Sequence, residues 1–543
     1  LGAFSRYFAQ VAGRVAALTE GTPVRPSVEA LVRAAEHRGG LELEEAAKLI
    51  ELGRDPAARD EIESASRELR NREHSRAVEA IIPEYLTSFC QNDCLYCGYR
   101  KSNPLAERVR LSLEHFEREL DLILAWGHRQ IELVLADDAE FTPAQLAPFI
   151  ELARARLNSL GGGLLALNAP AYQRDDYCLL RRAGLDWVAL WQETYDATHF
   201  NRWHVTGTPK RQFEFRLDVW DRAIPAGVRR AALGVLFGLY DWRFDVLALI
   251  EHGNYLRRTY GIEPYALGVP RLKPARGVLA SQKPSKYSVT DEDYRLAVAI
   301  YHLAFPRSRV FFNTRETYEF NLSMLTRGDL FTVDCETLPG AYLRGRLTGQ
   351  FATHAYPPRR EVVRELQARG FTVLHLAEER EVPSAVAAPP AGTPLDHGRW
   401  LRERNEVRTR LLAFADALAG LEAVRPAEHA RAARLLEDRL AALRDVAMQV
   451  SREEEELLFP RALGVLNPET IESLRRDHEN VAVDLDRFER QIASYRQSGD
   501  PTVLLTLGRR MIGELRRHLR SEESLLEEVV RAGSRPNLEA ECV

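Results

Sequence analysis

Between residues 81 and 376 the sequence keeps returning to one pattern: a short run of β-forming residues, an amphipathic stretch, then another short run. The runs fall at 131–135, 163–167, 187–191, 232–236, 265–269, 310–312 and 371–376. Between them, 113–126, 143–157 and 216–226 carry apolar residues at helical spacing. Strand then helix, repeated, means parallel strands, because each connection must cross back over the sheet. Alternation sustained over about 300 residues predicts an α/β fold, a full or partial (β/α) barrel of the TIM type, with functional side chains at the strand ends.

The flanks differ. Residues 1–80 read as helices, with helix-period apolar positions in 28–35 and 43–52. The stretch 382–394 is rich in Ala and Pro, the composition of a stiff linker. From 396 to 534 helix-period positions run throughout, with breaks near 424–426, 464–468 and 499–501, which predicts an all-α four-helix bundle. The expected organisation is an N-terminal helical extension (1–80), the barrel (81–380), a linker (381–395), the bundle (396–534) and a tail (535–543).

With 543 residues, 45% hydrophobic and 28% charged, the chain is long enough for two or three globular units. A net charge of −5 gives no reason to expect nucleic acid or an anionic membrane as partner. No apolar run approaches the roughly 20 residues needed to span a bilayer. Residues 1–10 hold Arg6 but no apolar segment of the kind that precedes a leader cleavage site. Six cysteines are too few for a disulfide scaffold, so a cytoplasmic, oxygen-sensitive protein is expected.

Three of those cysteines, Cys90, Cys94 and Cys97, fall within eight residues, shortly after the apolar pair Ile81-Ile82. A Cys-x3-Cys-x2-Cys loop can wrap three corners of a [4Fe–4S] cluster and leave the fourth iron open. A structural zinc site would close four ligands, and no second Cys-x2-Cys pair exists. The motif, with the aromatic Tyr96 before its last cysteine, resembles that of the radical S-adenosylmethionine (SAM) superfamily. In that superfamily SAM chelates the open iron and is cleaved to a 5′-deoxyadenosyl radical, chemistry the cofactor supplies and the protein orients. The resemblance places Tyr96 beside the adenine.

The match extends to the tyrosine-cleaving members, the 2-iminoacetate synthases and the [FeFe]-hydrogenase maturation lyases. Gln192-Glu193-Thr194-Tyr195 resembles their QETY segment, Val269-Pro270-Arg271-Leu272 their VPRL, and Asn313-Thr314-Arg315-Glu316 their STRE. Arg216-Leu217 with Asp221-Arg222-Ala223, Gly234 to Asp241, and Leu338 to Tyr342 resemble further family segments in the same order. The resemblance implies that Glu193 and Tyr195 hold SAM. It also implies that Arg271 and Arg315 clamp an amino-acid carboxylate, a role for which a guanidinium fork is suited; the competing reading of each arginine is an internal ion pair. Asn313 replaces a serine beside the substrate. Asp137-Asp138 stands where the family has a SAM-contacting Gly-Glu, leaving Asp138 as the candidate carboxylate. Lone histidines such as His204 and His252 are expected to be satisfied internally. No C-terminal cysteine triplet is present, so no auxiliary cluster is expected.

The expected activity is Cα–Cβ cleavage of tyrosine or a related aromatic amino acid, fed by an electron donor such as flavodoxin or ferredoxin. The alternatives are a diverged radical SAM reaction on another small molecule and a maturation or assembly protein. Residues 396–534 resemble a hemerythrin-like (HHE) domain. His518 and Glu522 share a helix face, and His478 and Glu454 fall at two more ligand positions. Asn405 and Val450 replace two histidines. Glu454, His478, His518 and Glu522 are therefore expected to hold at most one metal, iron by family, and weakly. A scaffold, or an iron- or oxygen-responsive surface for a protein partner, is the expected role.

Overall fold

The computed structural model describes residues 2–379, apart from 284, 345–348 and 355, and residues 397–533, apart from 422–423, 425–427, 455–458 and 460–467. The expected linker and tail lie outside the described residues. The chain divides into two compact units, Leu1–Tyr342 with Thr348–Val382, and Leu343–Leu347 with Pro383–Val543.

The first unit is a closed parallel barrel. Its strands are β1 (Ala77–Thr87), β2 (Gln130–Leu135), β3 (Leu164–Asn168), β4 (Trp187–Glu193), β5 (Arg230–Val235), β6 (Ala266–Gly268), β7 (Arg309–Phe312) and β8 (Leu330–Thr332). Each pairs in parallel with the next, and β1 pairs with both β8 and β2, closing the ring of eight. A short ninth strand, β9 (Thr372–Leu374), lies along the start of β1. Every run expected to be a strand is one.

Two strands lie outside those expectations. β8 is only three residues long, too short for a period of two to show. β1 carries Glu79, Pro83 and Glu84, and an internal proline normally argues against a strand. Pro83 is tolerated because β8 pairs with β1 only as far as Ile81, so no ladder partner waits for the missing N–H.

Alternation along the strands fills the lower barrel with Ile81, Ala166, Trp187, Ala189, Ala232, Tyr265, Phe311 and Leu330. Further along their strands, Glu132, Asn168, Trp191 and Thr332 face a cavity instead. The helices that follow the strands start on recognisable caps. Ser112 accepts from His115 N ahead of Leu113–Ala125, and Thr142 forms a capping box with Gln145 ahead of Pro143–Ser159.

The helix expected at 216–226 is broken. It forms two short pieces, Phe213–Leu217 and Val219–Ala223, with Asp218 between them at φ −85°, ψ 15°. Asp218 is drawn to the N-terminal helix, Ala3–Glu20, where its carboxylate accepts from Gly2 N (2.7 Å), Ser5 N (2.6 Å) and Ser5 Oγ (2.8 Å). Three more helices, Val28–Arg38, Leu43–Leu52 and Pro56–Glu73, complete the N-terminal extension, and β1 begins before residue 80.

Among its described residues the second unit holds four helices, His397–Gly420, His429–Glu453, Pro468–Ser498 and Thr502–Gly533. The expected break at 499–501 is seen, and those near 424–426 and 464–468 fall largely outside the described residues. The first packs on the second and fourth, and the third on the second and fourth, as an up-and-down bundle requires. Leu411, Phe414 and Leu418, then Leu436, Leu440 and Leu443, show the three- and four-residue spacing that turns one stripe of each helix inward.

Candidate active site

The strand ends of the barrel surround a cavity of about 370 Å³. Cys90, Cys94 and Cys97, on the loop leaving β1, line it together with Tyr96, Glu193, Asn313 and Arg315. Asp138, Tyr195 and Arg271 do not.

The cysteine loop is held from outside by Asp137. Its backbone carbonyl accepts from Gln91 N (2.8 Å), and its carboxylate accepts from Gln91 Nε2 (2.9 Å) and Asn92 Nδ2 (2.6 Å). The bulk added where the resemblance expects glycine therefore clasps the loop. Burial pushes the Cys94 thiol up to about 12 and the Cys90 thiol to about 11, so neither is a reactive free thiolate. A bound metal would deprotonate both outright. Cys94 and Tyr96 pack on Leu236 and Leu239.

Two β-bulges bend strand ends beside the cavity, at Tyr85/Thr87 in β1 and Trp191/Glu193 in β4. The second holds Glu193 at φ 73°, a left-handed conformation that costs a non-glycine residue on the order of 1–3 kcal/mol. The distortion turns the Glu193 carboxylate into the cavity, 2.6 Å from Lys210 Nζ and 3.7 Å from Arg216. Burial would raise this carboxyl, but the two cations outweigh it and hold it low and ionised. Lys210 also lies 5.7 Å from the Tyr96 ring centre and donates its backbone N–H to Asn92 Oδ1. Neither Lys210 nor Asn92 stands out in the sequence, because Asn92 lies on a loop and Lys210 on the single 3-10 turn Pro209–Arg211, both too short to show periodicity.

Tyr96 donates to His204 Nε2 at 2.9 Å, while His204 Nδ1 meets the Phe200 carbonyl at 2.7 Å. Burial drops this histidine to about 3, so it is neutral with its proton on Nδ1. His204 is thus satisfied, as expected, but by the cavity tyrosine.

Three residues named from the sequence are committed elsewhere. The bulge at Trp191/Glu193 breaks the two-residue period, so Tyr195 turns into the packing and bonds His252 Nδ1 at 2.8 Å. Asp138 accepts from Thr87 Oγ1 and from both arms of Arg110, each at 2.7 Å. Arg271 spends its fork on Glu316 and, at 2.6 Å, on Asp291, the internal ion pair that competes with carboxylate capture.

Arg315 behaves differently. Its guanidinium stacks 3.5 Å from the Phe351 ring centre, and among the described residues no carboxylate pairs with it. Asn313 Oδ1 accepts the Arg315 backbone N–H at 3.0 Å, leaving its amide nitrogen available to donate.

The cavity floor has no counterpart in the sequence reading. Trp191 lies across it because β5 and β6 carry glycines beneath: a Cβ at Gly234 would come 2.3 Å from Trp191 Cε3, and one at Gly268 2.7 Å from Cη2. Beside it Glu132 accepts from Asn168 Nδ2 at 3.2 Å. Burial pushes Glu132 up to about 7, with Asn168 opposing. The Thr332 hydroxyl faces the same cavity, and among the described residues it has no hydrogen-bond partner.

In the bundle, Glu454, His478, His518 and Glu522 are all buried, with ligand atoms within 4.8 Å of one another. Nothing in the spacing of the bundle residues marks Arg404, which is fully buried and ion-paired with Glu454 and, at 3.6 Å, with Glu522.

Residues 85–249 match the radical SAM superfamily, and residues 399–530 match the hemerythrin HHE cation binding domain. The chain carries a radical SAM domain and a hemerythrin-like domain. It is 28% identical to the 2-iminoacetate synthase of Salmonella typhimurium over 345 residues, which covers 61% of this chain and 88% of that protein. The Escherichia coli 2-iminoacetate synthase is also 28% identical, over 317 residues, 58% of this chain and 81% of that one. The crystal structure of HydG, a maturase of the [FeFe]-hydrogenase, superposes with a TM-score of 0.63 at 22% identity, covering 82% of this chain and 97% of HydG, and shares the fold.

The radical SAM residues fit an iron–sulfur cluster: three thiols from one loop, on the wall of a cavity that also presents Tyr96, Glu193 and Lys210. The hemerythrin-like domain does not fit two metals. Asn405 and Val450 stand at two expected histidine positions, and the Arg404 guanidinium bonds one oxygen of Glu454 and faces one of Glu522 at 3.6 Å. Among the described residues no helix is long and apolar enough to cross a membrane.

Proposed function

We propose that this chain is a radical SAM lyase that breaks the Cα–Cβ bond of tyrosine or a closely related aromatic amino acid. The observation that carries the reading is Arg315, a guanidinium without a carboxylate partner among the described residues, in the cavity that the three cysteines line. A [4Fe–4S] cluster on Cys90, Cys94 and Cys97 would supply the electron that cleaves SAM to methionine and a 5′-deoxyadenosyl radical.

The chain's own residues then bind and orient. Glu193, kept ionised by Lys210 and Arg216, is placed to accept from the ribose or amino group of SAM. Arg315 takes the substrate carboxylate bidentately, and Asn313 donates beside it. The apolar body of the side chain rests on Trp191, and its far end reaches Glu132 and Asn168, which can accept from and donate to a phenol. Loss of a hydrogen atom from the substrate and fragmentation would give dehydroglycine and a cresol-type radical. That radical takes one electron and one proton to become p-cresol, so a flavodoxin- or ferredoxin-type donor is needed.

The test is anaerobic reconstitution with iron and sulfide, followed by reductant, SAM and tyrosine. 5′-Deoxyadenosine and p-cresol rising together, and both vanishing in Cys94→Ala, supports the lyase. Deoxyadenosine without p-cresol removes tyrosine cleavage and points to another small substrate.

A further inference from the structure

The buried carboxylates of the hemerythrin-like domain are each split between two sides. Glu454 turns Oε1 to Arg404 Nη2 and Oε2 to His478 Nε2, 3.1 Å away. Glu522 faces Arg404 Nε with Oε2, at 3.6 Å. Its Oε1 meets His478 Nε2 at 3.3 Å and His518 Nε2 more closely. One oxygen of each carboxylate therefore serves a guanidinium, and the other joins the imidazole pair.

We propose that Arg404 is a built-in second cation, so that this domain takes a single divalent transition-metal ion where its family takes two. The ion's ligands are Glu454 Oε2, Glu522 Oε1, His478 Nε2 and His518 Nε2. Three considerations carry this. First, ligands about 2.0–2.1 Å from a tetrahedral ion lie about 3.3 Å from one another; two of the donor separations, 3.1 and 3.3 Å, already match such edges, while His518 Nε2 and Glu522 Oε1 lie closer and part when an ion enters between them. Second, two ions about 3.5–4 Å apart need bridging carboxylates with both oxygens free. Arg404 hydrogen-bonds the second oxygen of Glu454 and lies 3.6 Å from that of Glu522, so its charge stands where a second ion would sit, and a guanidinium cannot surrender its proton to become a ligand. Third, with both carboxylates ionised as metal ligands, Glu454, Glu522 and Arg404 sum to a single negative charge. One divalent ion turns that into a single positive charge, whereas a second ion would bury three, with Arg404 fully buried and unable to swing out to water.

Two imidazoles and two carboxylates suit iron(II), cobalt(II), manganese(II) or zinc. Phe459 stacks on His478 with ring centres 5.5 Å apart, and the His518 ring meets His478 edge-on at 4.6 Å, so the imidazoles are held in place before an ion arrives. Arg404 also gives the metal-free core a counter-charge, which a purely ligand-lined site would lack.

The test uses the full chain with Cys90→Ala, Cys94→Ala and Cys97→Ala, so that bound metal reports the bundle alone. It is titrated anaerobically with cobalt(II) and read by metal content and visible absorption. One cobalt per chain with a four-coordinate spectrum, lost in His518→Ala, is expected. Arg404→Met removes a fixed charge beside the ion and should tighten cobalt binding at least tenfold. Without metal it should melt below its parent. Two cobalt ions per chain, no cobalt, or unchanged affinity in Arg404→Met would overturn the proposal. Should Arg404→Met fail to fold, Arg404→Lys keeps the charge and must keep the stoichiometry at one; a second ion entering it counts against the assignment.

Discussion

Arg315 and Arg271 sit in matched segments, yet only Arg271 has a carboxylate partner among the described residues. Arg271 is neutralised by Glu316 and Asp291, whereas Arg315 rests on Phe351 with its fork unclaimed by any described carboxylate. Replacing Arg315 with Met should raise the KM for the amino acid by about 10- to 100-fold, the worth of hydrogen bonds to a charged group. The same change at Arg271 should mainly lower the melting temperature, and kinetics with calorimetry on both variants separates the two roles. Glu132 gives a pH prediction. Its folded carboxyl titrates near 7 against an ordinary 4.5, raised by burial and partly opposed by Asn168. A raised carboxylic pKa costs stability once the group ionises: nothing below about 4.5, growing to the full cost above about 7. Glu132→Gln removes that titration, so it should stabilise the protein at pH 8 by up to about 3 kcal/mol and have no such effect near pH 4.5. Thermal melts across that range check the sign. If the carboxyl also reads a phenol, Glu132→Leu should narrow the preference for tyrosine over phenylalanine in 5′-deoxyadenosine release.

At the scale of elements, the cavity floor depends on what β5 and β6 lack. Gly234 and Gly268 leave room for the Trp191 indole, and a Cβ at either would fall within its van der Waals radius. Gly234→Ala should therefore cost about 1–3 kcal/mol by overpacking and disturb the floor. Adding Trp191→Phe to it should recover part of the melting temperature, a coupling that melts of the single and double variants would show. These contacts also mark where the sequence stops being legible. Seven strands, the cysteine loop and the bundle helices announce themselves through periodicity and spacing. The floor is built from single inward positions on different strands, and nothing in β2 alone says that Glu132 points at Asn168 rather than at a helix. Tyr195 shows the complementary failure: QETY is easily recognised, but the bulge after Trp191 sends Glu193 in and Tyr195 out. Arg404 was hidden for a similar reason, since its partners Glu454 and Glu522 lie far along the chain and a buried cation leaves no local trace.

For the molecule as a whole, the division into two units separates two chemistries. Every described residue lining the barrel cavity belongs to the first unit, and all four metal-ligand candidates and Arg404 belong to the second. Each unit has its own buried apolar core, the usual condition for independent folding. A chain ending after Val382 should consequently retain the iron–sulfur absorption and the SAM-cleaving activity, with the KM for the amino acid unchanged within about twofold. If the second unit merely accompanies the first, product formation in air-exposed and strictly anaerobic preparations will respond equally in full-length and truncated chains. If a single ion beside Arg404 makes the bundle a sensor of iron supply or oxygen, the full-length chain alone should change its rate when cobalt(II) or iron(II) fills the bundle. Steady-state rates of both chains, with and without the added ion, decide between these roles, and a metal effect that survives truncation would place the sensitivity in the barrel instead.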